Sequence, residues 1–234
     1  MNRRLAGRCA IAVALASALA GARAEGPEGR LYTPGPFERL DIAGAGSVRL
    51  VQGERDEVFV QGDSEAQSAV AVDREGNALH LSLPGGWKFW QAGKPQVEVR
   101  MRKLSRITLS GVSDLTAAGT IRSSHLDVDL AGSGVARFED LQAETLSFTI
   151  SGSGEGQLAG RVAALKLSVS GRGKIAADQL QVGAARVSIS GVGNADLWVT
   201  DSLSADISGA GHVHYRGQPA VRQTISGLGS VDAR

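Results

Sequence analysis

Hydrophobic and polar residues alternate along most of the chain in short runs that break at glycine pairs. Leu146, Phe148 and Ile150 alternate with Ser147 and Thr149; Gly152 and Gly154 follow, and alternation resumes toward Leu158. A period of two is that of a strand with one buried face. The unit occurs eight times, as "LDIAGAGSVRL", "ITLSGVSDLTA", "VDLAGSGVARF", "FTISGSGEGQL", "LSVSGRGKIAA", "VSISGVGNADL", "ADISGAGHVHY" and "QTISGLGSVDA". Its first glycines are Gly44, Gly111, Gly132, Gly152, Gly171, Gly191, Gly209 and Gly227, and from Gly111 onward the steps are 21, 20, 19, 20, 18 and 18 residues. A period near 20 with strand chemistry predicts a solenoid in which each repeat is one coil.

The positions four and six after each first glycine are apolar or small, and in six of the eight copies a large residue is matched with Gly or Ala. Leu115 goes with Ala117, Ala136 with Phe138, Gly156 with Leu158, Ile175 with Ala177, Ala195 with Leu197 and Val231 with Ala233. Such trading of volume is what close packing inside a narrow stacked tube requires, and it predicts that Gly156 leaves the room that Leu158 fills. A third short strand is expected at Ile121, Leu141, Val162, Leu180 or Val182, and Val199. The fold class is therefore all-β, a single-stranded parallel β-helix with coils of about 20 residues, right-handed by the crossover preference. The glycines are expected to supply corner angles closed to other residues.

One segment departs from this texture. Residues 51–103 carry alternating runs of their own, with Arg74-Glu75-Gly76-Asn77 reading as a hairpin turn, so an insertion bearing a hairpin is expected to widen or cap the N-terminal end of the rod. Residues 1–24 have a third texture: Arg3, Arg4 and Arg8, then an apolar run, then Ala22-Arg23-Ala24. This is the pattern of a secretory signal with an A-x-A cleavage site, its apolar run too short to remain as a spanning helix. The expected organisation is a signal peptide over 1–24, a linker over 25–36 and a β-helix domain over 37–234. The mature chain then carries no transmembrane segment, and the expected location is the periplasm or cell surface of a bacterium.

Composition changes meaning once that signal is set apart. The formal charge of the whole chain is +1, but four of its 25 basic residues lie in residues 1–24. The remainder holds 21 basic against 24 acidic residues, a formal charge of −3, which gives no ground for nucleic-acid binding. Cys9, the one cysteine, also falls in the signal, so the mature chain must hold its core without disulfides.

The recurrent "SGSG", "SGRG" and "SGAG" turns after short alternating strands, following a signal sequence and a hairpin-bearing first coil, resemble the head-GIN domain family of putative auto-transporter adhesins. The resemblance covers about Phe37 to Arg234. It implies a right-handed parallel β-helix in an exported bacterial protein of unassigned biochemical role, and it carries no catalytic motif.

Candidate chemistry falls in four places. The repeated glycine turns resemble phosphate loops only superficially, because a phosphate loop occurs once and opens a helix. The serines before them, Ser110, Ser151, Ser170, Ser190, Ser208 and Ser226, form a column expected to hydrogen-bond local backbone rather than to act as nucleophiles. His212 and His214 project outward on one rung, with Asp196 on the preceding rung, so the three could converge on zinc or form a solvated Asp–His face. The loop from Pro84 to Gln96 concentrates Trp87, Lys88, Phe89 and Trp90, a set that could stack on sugars or plug the end of the coil stack. No cofactor is implied. These features point to an exported non-enzymatic binding module, adhesin-like, whose partner is an envelope glycan or a surface protein. The alternatives are a polysaccharide-active β-helix enzyme, which needs carboxylates gathered beside a groove, and a self-assembling envelope scaffold; the pattern leaves the oligomeric state open.

Overall fold

The computed structural model of the chain describes residues 29–84 and 96–234. The segment 1–24 and the aromatic set Trp87, Lys88, Phe89 and Trp90 lie outside the described residues. Within them the expected all-β parallel solenoid is found. Five long strands, β9 (Val112–Leu130), β10 (Ser133–Ile150), β11 (Ser153–Val169), β12 (Arg172–Ile189) and β13 (Val192–Ile207), are stacked in parallel, each occupying nearly a whole repeat. A strand of that length cannot stay straight within a stack of short coils, so each bends, and the register slips at the bends, as between Phe138 and Leu141. The coil therefore has three sides: one before the glycine corner (Leu146 to Ile150), one after it (Ser153 to Leu158), and a short third side (Leu141 to Ala143). Gly111 to Gly227 spans six consecutive turns, whereas the interval from Gly44 to Gly111 is interrupted by the insertion.

Alternation sets what faces inward. Leu146, Phe148 and Ile150 are fully buried, and so are their neighbours one coil away, Leu126, Val128 and Leu165, Leu167. The glycine corner is equally determined, but by contact more than by backbone angle. Among the eight first glycines a left-handed φ occurs at Gly44 (+97°) and Gly111 (+94°) alone. At the others the stacking itself is the constraint: a Cβ at Gly152 would overlap the carbonyl oxygen of Gly132, and one at Gly171 that of Gly152. The corners are packed backbone on backbone, which removes the space for any side chain.

The insertion builds more than a hairpin. β2 (Arg39–Ala43) and β3 (Ala45–Gln52) form the first coil. The chain then leaves through β4 (Glu57–Gln61), a one-and-a-half-turn helix α1 (Ser64–Ala69), β5 (Ala71–Glu75), β6 (Ala78–Ser82) and β7 (Gln96–Met101), and returns through β8 (Arg106–Leu109). β6 and β7 pair in parallel with β2 and β3 on one side, and β8 and β9 pair with them on the other. The insertion thus adds a further coil outside the first, so order in space differs from order in sequence. Beyond it the direction reverses. β1 (Gly29–Tyr32) pairs antiparallel with β4, β4 with β7, and β5 with β6 through the expected turn at Gly76 (φ +60°). Asp63 caps α1 by accepting from Ala66 N–H at 2.8 Å, and Ala66 and Val70 are buried at this end. Among the described residues no such reversal covers the other end, where β14 (Ala210–Arg216), β15 (Ala220–Ile225) and β16 (Leu228–Ala233) form the last coil.

Candidate functional site

An open groove of about 1260 Å³ runs along the third side of the coil. Its floor follows from register. Outward positions on successive third-side strands place Arg122, Gln142, Arg161 and Gln181 in one row, and the row ends on Trp198. Trp198 stands in this row because the β13 coil is short: Leu197 pairs with Ala177, and the next residue already pairs with Gln181, so the three intervening residues of β12 have no counterpart. An aromatic side chain takes the place of a longer bend.

Local bonds hold the row in position. Gln52 donates to the carbonyls of Arg102 and Arg122, both at 3.0 Å, and accepts from Arg122 N–H at 2.6 Å, fixing the upper end. Arg161 Nε donates to Gln181 Oε1 at 3.0 Å. Asp140 accepts from Thr120 at 2.7 Å and from Gln142 at 3.1 Å on the groove rim. At the lower end the Arg216 guanidinium lies over the Trp198 ring, 4.2 Å from its centroid, and reaches back to the carbonyl of Asp178. Among the described residues neither Arg122 nor Arg161 has a carboxylate within ion-pair distance, and both are exposed. The groove therefore offers two guanidinium groups held in no ion pair among the described residues, amide side chains between them and an indole at one end, with the carboxylates of Asp140 and Glu144 also in its lining. This set can hold a planar anion in a two-pronged contact and pack a ring against an apolar surface.

A second groove of about 720 Å³ lies where β1 and β4 meet the second side, near Leu31, Phe59 and Gln61. Glu98 there pairs with Arg100 at 2.8 Å and with Arg49 at 3.9 Å, while Arg137, like Arg161, donates to an amide, Gln157, at 2.9 Å. On the first side carboxylates do gather, as Asp41, Asp127 and Asp129 around Arg106, and two of the three are engaged. Arg106 pairs with Asp127 at 2.7 Å, His125 approaches Asp127 at 3.1 Å, and His80 approaches Asp41 at 3.2 Å. The hydrogen bond to Asp127, and then its charge, hold the Arg106 guanidinium still further above its ordinary value.

The rung alignment expected from sequence places the histidines correctly. Asp196 is in register with His214, and Asn194 with His212. The two imidazoles are stacked, with centroids 6.4 Å apart and planes 10° apart. His212 N–H donates to Asn194 Oδ1 at 3.2 Å, its Nδ1 lies 3.0 Å from Ser230 Oγ, and that hydroxyl donates to Asp232. Asp196 Oδ1 is 3.0 Å from the Arg234 guanidinium, an ion pair too bent to be a hydrogen bond. Among the described residues no three His, Cys, Asp or Glu side chains come together in a group able to hold a metal ion. The serine column is exposed throughout, and its backbone N–H groups donate to the preceding coil, as Ser151 does to Leu130 at 3.0 Å. Among the described residues a hydroxyl of this column reaches backbone at Ser110, which donates to Ile42 at 3.2 Å.

Sequence reasoning missed the groove. Its row occupies every twentieth residue or so and alternates Arg with Gln, a period visible in the sequence once the third side is aligned. Trp198 was the available signal, being one of three tryptophans and standing where a coil shortens.

Comparison with known proteins places this architecture. A family model described as "Putative auto-transporter adhesin, head GIN domain" matches residues 36–219. Among solved structures, a putative adhesin from Bacteroides fragilis is similar, with a TM-score of 0.83, 24% identity, and coverage of 88% of this chain and 96% of that one. A putative adhesin from Parabacteroides distasonis has a TM-score of 0.69 and 22% identity over 88% of this chain and 96% of its own. A putative lipid binding protein from the same species has a TM-score of 0.65 and 20% identity over 90% and 98%. At these identities the likeness is one of fold. No curated protein matches the chain.

Proposed function

Because the chain belongs to the family described as "Putative auto-transporter adhesin, head GIN domain", we propose that it is an exported, non-enzymatic binding module of the bacterial envelope or surface, and that it binds acidic glycan through its third side. Export rests on the signal pattern of residues 1–24; no helix among the described residues is long and apolar enough to cross a membrane. The observation that carries the ligand class is the pair Arg122 and Arg161, exposed in the same groove and free of carboxylate partners among the described residues. Unpaired guanidinium groups spaced along a groove suit a polymer with a repeating negative charge, and Trp198 suits its rings. The non-enzymatic reading rests on the first-side carboxylates Asp127 and Asp41, which are held against Arg106 and His80.

A glycan panel incubated with residues 25–234 tests the reading. Acidic polysaccharides are retained and neutral ones are not, Arg161→Ala lowers retention at least tenfold, and a Trp87→Ala, Trp90→Ala double variant retains as wild type does. Equal retention by wild type and Arg161→Ala removes the groove as the site. Reducing ends or unsaturated products in the incubation replace the binding module with an enzyme.

A further inference from the structure

Among the described residues nothing covers the last coil. Val221 and Ile225 of β15 and Leu228 of β16 are exposed at 40%, 39% and 83%, although Val221 and Ile225 continue inward columns that are fully buried one coil earlier at Leu203 and Ile207. The backbone edge is equally unpaired. Ser226, Leu228 and Arg234 donate to Ile207, Gly209 and Tyr215 of the preceding coil. Successive residues of a strand turn their N–H and C=O to opposite sides. The residues of opposite parity, Val221, Gln223 and Ile225 in β15 and Gly229, Val231 and Ala233 in β16, therefore point these groups out of the end of the rod. Open edges of this kind recruit another chain.

We propose that two copies of this protein join end to end at this coil, related by a twofold axis through the Gly227 corner. The axis lays β15 of one copy antiparallel to β16 of the other, and parity and charge together select one register. Inward residues must meet inward residues, so Val221, Gln223 and Ile225 face Ala233, Val231 and Gly229 of the second copy. Hydrogen-bonded pairs must join residues whose backbone groups are free, and these three pairings do so. The outward residues must also be compatible in charge: Arg222 then lies opposite Asp232, and Thr224 opposite Ser230. Shifting the register by two residues either way keeps the parity and loses the Arg222–Asp232 pairing. The twofold contact uses the β15–β16 edge of both copies and leaves the antiparallel β1 and β5 at the opposite end out of it, so it pairs like with like and stops at two copies.

Sedimentation of residues 25–234 over a concentration series tests this contact. The expected mass is that of two chains. Gln223→Pro removes an N–H that points out of the rod and no bond within the chain, so the dimer is lost while the thermal melt of the monomer is kept. Arg222→Asp weakens the dimer, and adding Asp232→Arg restores it. A monomer at every concentration, mass that grows without limit, or a dimer indifferent to both variants overturns the proposal. Glycan retention by the monomeric variant is expected to persist, which keeps this test separate from that of the groove.

Discussion

The ring of Phe148 occupies the space that a side chain at Gly156 would require. A Cβ at Gly156 would lie 2.8 Å from Phe148 Cζ and 2.9 Å from Ile175 Cδ1, closer than carbon atoms tolerate. The missing volume is filled from across the coil by Phe148 and from the next coil by Ile175, and Leu158 is not the nearest occupant. Gly156→Ala is therefore expected to destabilise the protein by about 1–3 kcal/mol through overpacking. Urea unfolding measures it. Phe148→Leu in the same chain should recover part of the loss, whereas Leu158→Val should add to it.

That relationship marks where the sequence was legible. Alternation and the 20-residue period identify strands, corners and inward columns, because each is a local property repeated many times. Which large residue fills which gap is a property of three dimensions, so Gly156 could be seen as a space and its occupant could not. The insertion is a similar case. The hairpin at Gly76 follows from local turn chemistry, but the placing of β6 and β7 outside the first coil reverses sequence order, and no local signal encodes it. The groove was hidden for a further reason: its residues are outward and polar, where alternation says only that a side chain meets solvent.

The two columns at the corner should respond differently to substitution. Gly152→Ala places a methyl group onto the carbonyl of Gly132, and backbone held in a stack cannot give way as a side-chain end can. The expected cost is at or above the upper end of about 1–3 kcal/mol. Ser151→Ala removes an exposed hydroxyl and leaves the N–H bond to Leu130 intact, so the expected change is within about 0.5 kcal/mol. Paired thermal melts of the two variants check the contrast. A costly serine substitution would mean that the hydroxyl column carries structure that its hydrogen bonds do not reveal.

Arg216 acts as a clasp between coils. It stacks over Trp198 and reaches the carbonyl of Asp178, joining β14 to the bend of β12 across the short β13 coil. Arg216→Ala is expected to cost about 1–2 kcal/mol through the lost cation–π contact and hydrogen bond. Removing Arg216 also uncovers one face of the indole. In a Trp87→Phe, Trp90→Phe background, where Trp198 is the remaining tryptophan, its fluorescence should shift to the red and become more accessible to iodide.

The groove row makes the most direct functional prediction, because charge and fork geometry can be separated at Arg161. Arg161→Lys keeps the charge and loses the planar fork, along with the Nε contact to Gln181. If the bound group is an anion gripped by two parallel N–H donors, Arg161→Lys should lose affinity for an acidic glycan by about tenfold, or about 1.4 kcal/mol, close to the lower end of about 1.5–3 kcal/mol for a charge-assisted bond. Arg161→Ala should lose more, and the wild-type affinity should weaken as salt screens the exposed guanidinium groups. Equal loss by Lys and Ala at low salt would identify geometry as the whole effect. Full retention by Lys would identify a diffuse attraction, for which the regular row of Gln142 and Gln181 would be incidental. Arg122→Ala, one end of the row away, should reduce affinity independently for a polymer that spans both guanidinium groups and leave it unchanged for a monosaccharide, so comparing the two ligands measures how much of the row a single chain of sugar occupies.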